Sequence, residues 1–347
     1  MRAARNALAL LGVGVVLLGA CSSSGGGRAP ASGVGTTSRR STGAKSTSAK
    51  STSSTIPSGS TALPSTLAPQ REEPGLPRAI QEAAATTVAD RLYVAGGYDT
   101  QRNSSAATFV FDGSAWSSGP MLPIRVNHPG AATINSDVYV AGGFTPAGGA
   151  TNRVFVLAPG ATSWREVAPM QRARGALSLV SVGQRLYAIG GRNASAEIAV
   201  PEVYDAQANT WADAAAMPHP RNHLAGFVDG VLVCVAGGRT PATSGSIDCL
   251  DTASGTWQGR GALPVPTSGA AATFTRGVTL VAGGEPSGET SITDVVQRFA
   301  SNRWTTEPML VPRHGSAFAV YRGRLWMCGG ATAPGFHAVA NCTSLAR

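Results

Sequence analysis

The sequence predicts an all-β circular fold, a β-propeller of six four-stranded blades, and three observations carry that expectation. A short apolar run ending in Gly-Gly occurs six times: "RLYVAGGYD" at Arg91, "VYVAGGF" at Val138, "LYAIGGR" at Leu186, "VCVAGGR" at Val233, "LVAGGE" at Leu280 and "WMCGGA" at Trp326. The first glycines, Gly96, Gly142, Gly190, Gly237, Gly283 and Gly329, are spaced by 46, 48, 47, 46 and 46 residues, a period at which blades and other structural units repeat. Trp116, Trp164, Trp211, Trp257 and Trp304 follow 20 to 22 residues behind the first glycine of their repeats.

In chain order, the first segment stands apart from the repeats. "RNALALLGVGVVLLGAC" has a basic start (Arg2, Arg5) and an apolar run too short to span a bilayer comfortably, which reads as a secretory signal over residues 1–20. Leu18-Gly19-Ala20-Cys21 resembles a bacterial lipobox, which implies lipid attachment at Cys21 and a place on the outer, extracytoplasmic side of the cell membrane. Acyl chains supply about 0.8 kcal/mol per buried methylene, so several of them hold a protein stably. Residues 21–64 are Ser/Thr/Gly-rich with almost no large apolar side chains, and read as a disordered tether with a reach of roughly 35 to 40 Å.

Charge follows the same division. The net charge is +9, but residues 1–60 hold seven basic and no acidic residues, leaving 21 basic against 19 acidic in the remainder. The repeat region is nearly neutral, and nucleic acid is not an expected partner. The Ala-, Gly- and Arg-rich usage with two lysines suggests a high-GC bacterial source.

Each repeat then follows one plan: an apolar strand, a turn such as "INSD" or "VDG", a second strand ending in Gly-Gly, a loop, a third strand, an Asx/Gly-rich turn, and a fourth strand opening with tryptophan. Four short strands bounded by turn residues describe a blade rather than a helical repeat. The Gly-Gly after a strand, Tyr204 before a turn and the tryptophan about twenty residues on resemble the kelch repeat, over residues 65–347. The resemblance implies a six-bladed kelch-type β-propeller, monomeric, with four antiparallel strands per blade. The sixth repeat ends 18 residues after Gly329 without its tryptophan strand. An open ring would expose unpaired edges. Counting back from Trp116 places Gln70 in the tryptophan slot, so residues about 66–73 are expected to close the last blade beside Val339–Leu345.

Cysteines fall in two pairs, Cys234 with Cys249 and Cys328 with Cys342, one near the end of strand two and one on strand three. Cross-strand disulfides are expected, as an exported protein keeps them oxidised; free buried thiols are the alternative.

Residue types that recur at one repeat position serve the blade, whereas residues that break the pattern on loops are site candidates. Arg78, Arg125, Arg174, Arg221 and Arg313, with Thr267 in the remaining repeat, read as scaffold, and Tyr93, Tyr139 and Tyr187 as core. Just after Gly-Gly stand Tyr98, Phe144, Arg192, Arg239, Glu285 and Ala331; fourteen before each first glycine stand Glu82, His128, Ala176, His223, Gly269 and Gly315. The resemblance implies that both sets share one face of the ring. Glu82, Tyr98, His128, Arg192, His223, Arg239 and Glu285 are therefore the candidate ligand-binding residues, suited to a polar ligand such as a glycan or a peptide segment, and a solvated loop surface is the bland alternative.

The expected function is a lipid-anchored binding or scaffold module for an envelope protein or glycan. A second reading is a cofactor-free carbohydrate-active enzyme resembling the sialic acid mutarotases, with Glu82 and His128 or His223 as acid/base groups. Copper chemistry of the galactose oxidase kind is not expected, because the cysteines are paired and His219/His223 is an isolated H-x-x-x-H on a Pro-containing stretch. No catalytic residue, metal ligand or cofactor is assigned from the sequence, and no phosphate-cradling loop is present.

Overall fold

The computed structural model describes residues 70–346. The signal segment, Cys21, the tether and the start of the expected closing segment lie outside the described residues. Six antiparallel sheets of four strands are arranged in a ring, each with its first strand on the axis and its fourth at the rim. The innermost strands are Ala84–Val88, Gly130–Ile134, Ser178–Val182, Ala225–Asp229, Ala271–Thr275 and Ala317–Tyr321. They touch in sequence around the circle, and the first touches the last.

Blade 3 shows the plan: Ser178–Val182, Arg185–Ile189, Glu202–Asp205 and Thr210–Asp213 pair in that order. Its apolar faces pack against the neighbouring blades. Leu186 and Ala188 lie in one cluster with Val154, Val156, Tyr139, Tyr204 and Trp211, all buried. Full burial of side chains of this size contributes about 1.5–3 kcal/mol each.

Blade 6 is closed as expected. Arg71–Glu73 pairs antiparallel with Cys342–Ala346 in the register Arg71↔Ser344, Glu72↔Thr343, Glu73↔Cys342. Gln70 also does a tryptophan's work. The indole nitrogens of Trp116, Trp164, Trp211 and Trp257 donate to Pro74, Pro120, Ala168 and Ala215 carbonyls 42 to 44 residues earlier, across to the preceding blade. The Gln70 Nε2 amide donates to the Pro308 carbonyl at 2.6 Å, and its Oε1 accepts from the Leu310 amide at 2.6 Å.

Both disulfides are formed, Cys234–Cys249 and Cys328–Cys342, each joining directly opposed residues of the second and third strands. Tyr139 and Tyr187 are buried, and Tyr93 is partly buried.

The arginine reading needs correction. Arg174, Arg221 and Arg313 are fully buried, but Arg78 and Arg125 are exposed. The carbonyl sixteen residues before each first glycine accepts from the second glycine of a Gly-Gly pair: Ile80, Val126, Arg174, Arg221, Thr267 and Arg313. Arg125 misses that slot by one residue and Arg78 by two, so apolar Val126 and Ile80 take the buried position instead. The first glycines are needed for this approach: a Cβ on Gly142, at φ +66, would meet the Arg174 carbonyl oxygen at 2.5 Å.

Candidate functional site

The site is organised by a ring of backbone. Glu82, His128, Ala176, His223, Gly269 and Gly315 all take left-handed φ values between +52 and +65. The amide of each donates to the carbonyl of the ring residue before it, from His128 to Glu82 onward, and Glu82 to Gly315 closes the circle at 2.8–3.0 Å. Six hydrogen bonds thus tie all six blades around the axis. Four of the six residues bear a Cβ in a conformation that disfavours one. The repeated backbone imposes this on whatever residue stands there, and only the side chains differ from blade to blade.

The second set lies immediately outside. Residues Tyr98, Phe144, Arg192, Arg239, Glu285 and Ala331 each bridge antiparallel to the residue preceding the ring: Gln81, Asn127, Gly175, Asn222, Ser268 and His314. All seven candidate residues therefore occupy the same end of the propeller.

Within this end the groups are close. Glu82 Oε2 lies 3.3 Å from His128 Nε2, and the His128 and His223 rings meet edge-to-face at 4.9 Å. Arg239 Nη2 lies 3.3 Å from His223 Nε2, and its guanidinium also reaches Glu285 Oε2 and Glu289 Oε1, each at 3.1 Å. Tyr98 stacks edge-on against His128 and Phe336. Arg192 is the outlier, 47% exposed at its side chain and 4.0 Å from Glu197, at the periphery of the cluster.

Burial sets the protonation of these groups. It lowers the His223 pKa well below the ordinary imidazole value, with His128 and Arg239 adding to the effect. It lowers the His128 pKa too, and the Glu82 carboxylate only partly opposes this. Burial thus favours the neutral form of both imidazoles. Burial pushes Glu285 up to about 7 against the pull of Arg239.

Four contributors are not among the sequence candidates. Asn127 and Asn222 orient the two histidines: His128 Nδ1 donates to Asn127 Oδ1 at 2.6 Å, and His223 Nδ1 donates to Asn222 Oδ1. The amide orientations are fixed from the other side, since Asn127 Nδ2 donates to Ser104 Oγ and the Phe144 carbonyl, and Asn222 Nδ2 to Glu197 Oε1. His314 lies between two carboxylates, 3.4 Å from Glu285 Oε1 and 3.8 Å from Glu82 Oε1. Phe144 packs edge-on against His128. A sequence signal existed for the asparagines, because Asn-His occurs twice at the same repeat position, at 127–128 and 222–223.

The axial cavity beneath the ring, lined by Glu82, His128, His223, Leu224 and Phe318 among others, has a volume of about 80 Å³. Ligand pockets usually run about 300–1,000 Å³. A cavity of this size is too small to enclose a molecule as large as a sugar or a peptide segment.

Comparison with known proteins agrees with the architecture. The KLHDC2/KLHL20/DRC7 Kelch-repeats domain model matches residues 82–284, more than half of the chain. The chain belongs to the kelch-repeat family. It is 38% identical over 81 residues to Kelch-like protein 33 of Homo sapiens, covering 23% of this chain and 15% of that protein. Alpha-scruin of Limulus polyphemus is 33% identical over 91 residues, covering 26% of this chain and 10% of that protein. The chain thus spans less than a fifth of the length of either relative. The solved structure of YjhT superposes with a TM-score of 0.70 at 16% identity, over 79% of this chain and 97% of that one. That likeness concerns the fold, and the kelch propeller is a fold widely used as an interaction scaffold.

Proposed function

We propose that this kelch propeller is a binding module for an envelope protein or glycan, lipid-anchored through Cys21 on the outer side of the cell membrane. The carrying observation is the axial face. The backbone ring and the set just outside it bring together side chains that differ from blade to blade: the His128 and His223 imidazoles, the Glu82 and Glu289 carboxylates, the Arg239 guanidinium and the Tyr98 phenol, with Glu285 buried behind Arg239. A surface of mixed donors and acceptors around a cavity of about 80 Å³ suits a polar chain lying across the rim. The anchor rests on the lipobox resemblance, and two disulfides suit an oxidising compartment.

The test is a binding screen of the protein against envelope glycans and envelope proteins. Arg192→Ala/Arg239→Ala is expected to lower affinity at least about tenfold by removing two rim cations, a loss of about 1.4 kcal/mol. A double variant that binds as well as wild type removes this face from the reading. Fractionation of Cys21→Ser, expected to move from membrane to soluble fractions, tests the anchor separately.

The 3.3 Å approach of Glu82 Oε2 to His128 Nε2 favours a second reading, acid/base catalysis on a sugar. NMR saturation transfer between anomers measures it; exchange unchanged by Glu82→Gln would dismiss it.

A further inference from the structure

The Glu82–His128 contact poses a question of proton count. His128 Nδ1 already carries its proton to Asn127 Oδ1, and His223 Nδ1 carries its own to Asn222 Oδ1. In the neutral imidazoles this leaves both Nε2 atoms as acceptors facing the axial mouth, and Arg239 Nη2 donates to that of His223. Glu82 Oε2, a second acceptor, faces the His128 lone pair at 3.3 Å. Two acceptors at this separation are satisfied by a shared proton or by a bound cation. The ligand atoms of Glu82, His128 and His223 all lie within 4.8 Å of one another.

We propose that Glu82, His128 and His223 form a binding site for one divalent transition-metal cation of the zinc class, with open positions toward the rim. This goes beyond the rim-binding reading and does not depend on it.

The donor chemistry fits. Two imidazoles and one carboxylate, with a free position, is the ligand set of many open metal centres. Bonds near 2.0–2.1 Å in tetrahedral geometry set neighbouring ligand atoms about 3.3–3.5 Å apart. The Glu82–His128 separation of 3.3 Å already meets that edge. The His223 imidazole closes the remaining distance by a small ring movement. The second shell is also in place: each histidine's distal N–H is held by an asparagine whose own amide is anchored, the arrangement that fixes tautomer and aim in metal sites.

Arg239 is the group that must yield. Its Nη2 lies 3.3 Å from His223 Nε2. The same nitrogen also bonds the largely exposed Glu289, and Nη1 holds Glu285. A cation at His223 displaces one weak contact of the guanidinium and leaves it two carboxylates. Glu285 and His314 flank the site on the other side, His314 Nδ1 lying 3.8 Å from Glu82 Oε1. They leave Oε2, the atom facing His128, available to the metal.

The experiment is equilibrium dialysis of the chelator-stripped full-length protein against Zn(II), with Co(II) spectroscopy in parallel. One equivalent of Zn(II) per chain is expected. Co(II) should give the intense visible bands of a four- or five-coordinate site, without a sulfur charge-transfer band. Glu82→Gln and His223→Ala should each weaken binding by about 100-fold or more, and Asn127→Ala by roughly 10–100-fold. His223→Ala is compatible with folding, because Ala176 already holds the same ring position at φ +54. Cys21→Ser and His219→Ala/His337→Ala should leave the stoichiometry unchanged. Absence of stoichiometric uptake overturns the proposal. So does uptake indifferent to Glu82→Gln and His223→Ala, or uptake abolished by Cys21→Ser or by the His219/His337 pair. Because this readout is metal content, its failure leaves the glycan and protein screen standing, and the reverse also holds.

Discussion

In blade 3 all four strands come from one uninterrupted stretch of chain, whereas blade 6 takes three from the C-terminal end and its fourth from Arg71–Glu73. The two blades also treat the same buried arginine differently. Arg174 donates to Glu202 Oε1 at 2.6 Å, with both side chains fully buried, and to the carbonyls of Ala188, Gly190 and Val200. Arg313 of blade 6 meets the Gly329 and Asn341 carbonyls only, and its Nε and Nη2 have no partner among the described residues. Burial pulls the Arg313 pKa down to about 10 with no carboxylate to oppose it, while Glu202 opposes the same effect on Arg174.

Strand register explains the contrast. The residue opposite the second position before Gly-Gly is Glu202 in blade 3 and Asp248 in blade 4, where it pairs with Arg221 at 2.7 Å. In blades 1, 2 and 5 the same register holds Phe109, Phe155 and Gln297, and their buried axial partners are Ile80, Val126 and Thr267. Polarity at the two positions matches within each of these five blades. Blade 6 alone sets Arg313 against Thr343, whose hydroxyl is itself without a partner among the described residues. Blade 6 instead has the Cys328–Cys342 crosslink, one residue from each of these positions' strands, and the clamp of Gln70 on blade 5. Blade 3 relies on a buried ion pair, blade 4 has both an ion pair and a crosslink, and blade 6, made from both ends, relies on covalent and terminal ties alone.

Three experiments would break or sharpen this contrast. The largest effect is expected from Glu202→Ala, which leaves the Arg174 charge buried and uncompensated, at a cost of about 3–5 kcal/mol in denaturant unfolding. A loss under about 1 kcal/mol would mean that the carbonyls alone satisfy Arg174, as they must Arg313. Next, Cys328→Ser/Cys342→Ser removes a short covalent loop worth about 3 kcal/mol, and it should cost more than Cys234→Ser/Cys249→Ser in blade 4, whose Arg221–Asp248 pair remains. Equal losses would sever the link between the crosslink and the missing carboxylate. The smallest, Gln70→Ala, removes two inter-blade hydrogen bonds and should cost about 1–2 kcal/mol, with hydrogen exchange rising in Cys342–Ala346 before other third strands. Uniform exchange across all six blades would show that the clamp does not set the order of opening.

Much of this was legible in the residues. The Gly-Gly period gave blade number, the tryptophan spacing located Gln70, and the Cys spacing named both crosslinks. The arginine alignment slipped because it followed residue type: the buried slot stands 16 residues before the first glycine in every repeat, while Arg125 and Arg78 stand 17 and 18 before theirs, an offset that counting from glycine exposes. In the site, counting from glycine placed Glu82, His128 and His223 in one ring, since repeat arithmetic is also geometry in a closed propeller. Asn127, Asn222 and His314 escaped because adjacency in sequence to a ring residue does not say whether a side chain faces it.

Periodicity by itself therefore determined the ring, its closure and the set of positions around the axis, because every blade must solve the same packing problem with the same spacing. Only the tertiary structure decided which of those side chains meet. Glu82, His128, His223 and Arg239 come from four different places along the chain, and the distances between them depend on how far the three ring residues, and Arg239 from the set outside them, lean their side chains over the axis. Asn127 and Asn222 aim the two histidines locally, but those amides are anchored by Ser104 and Glu197 of the preceding blades, which no local pattern encodes.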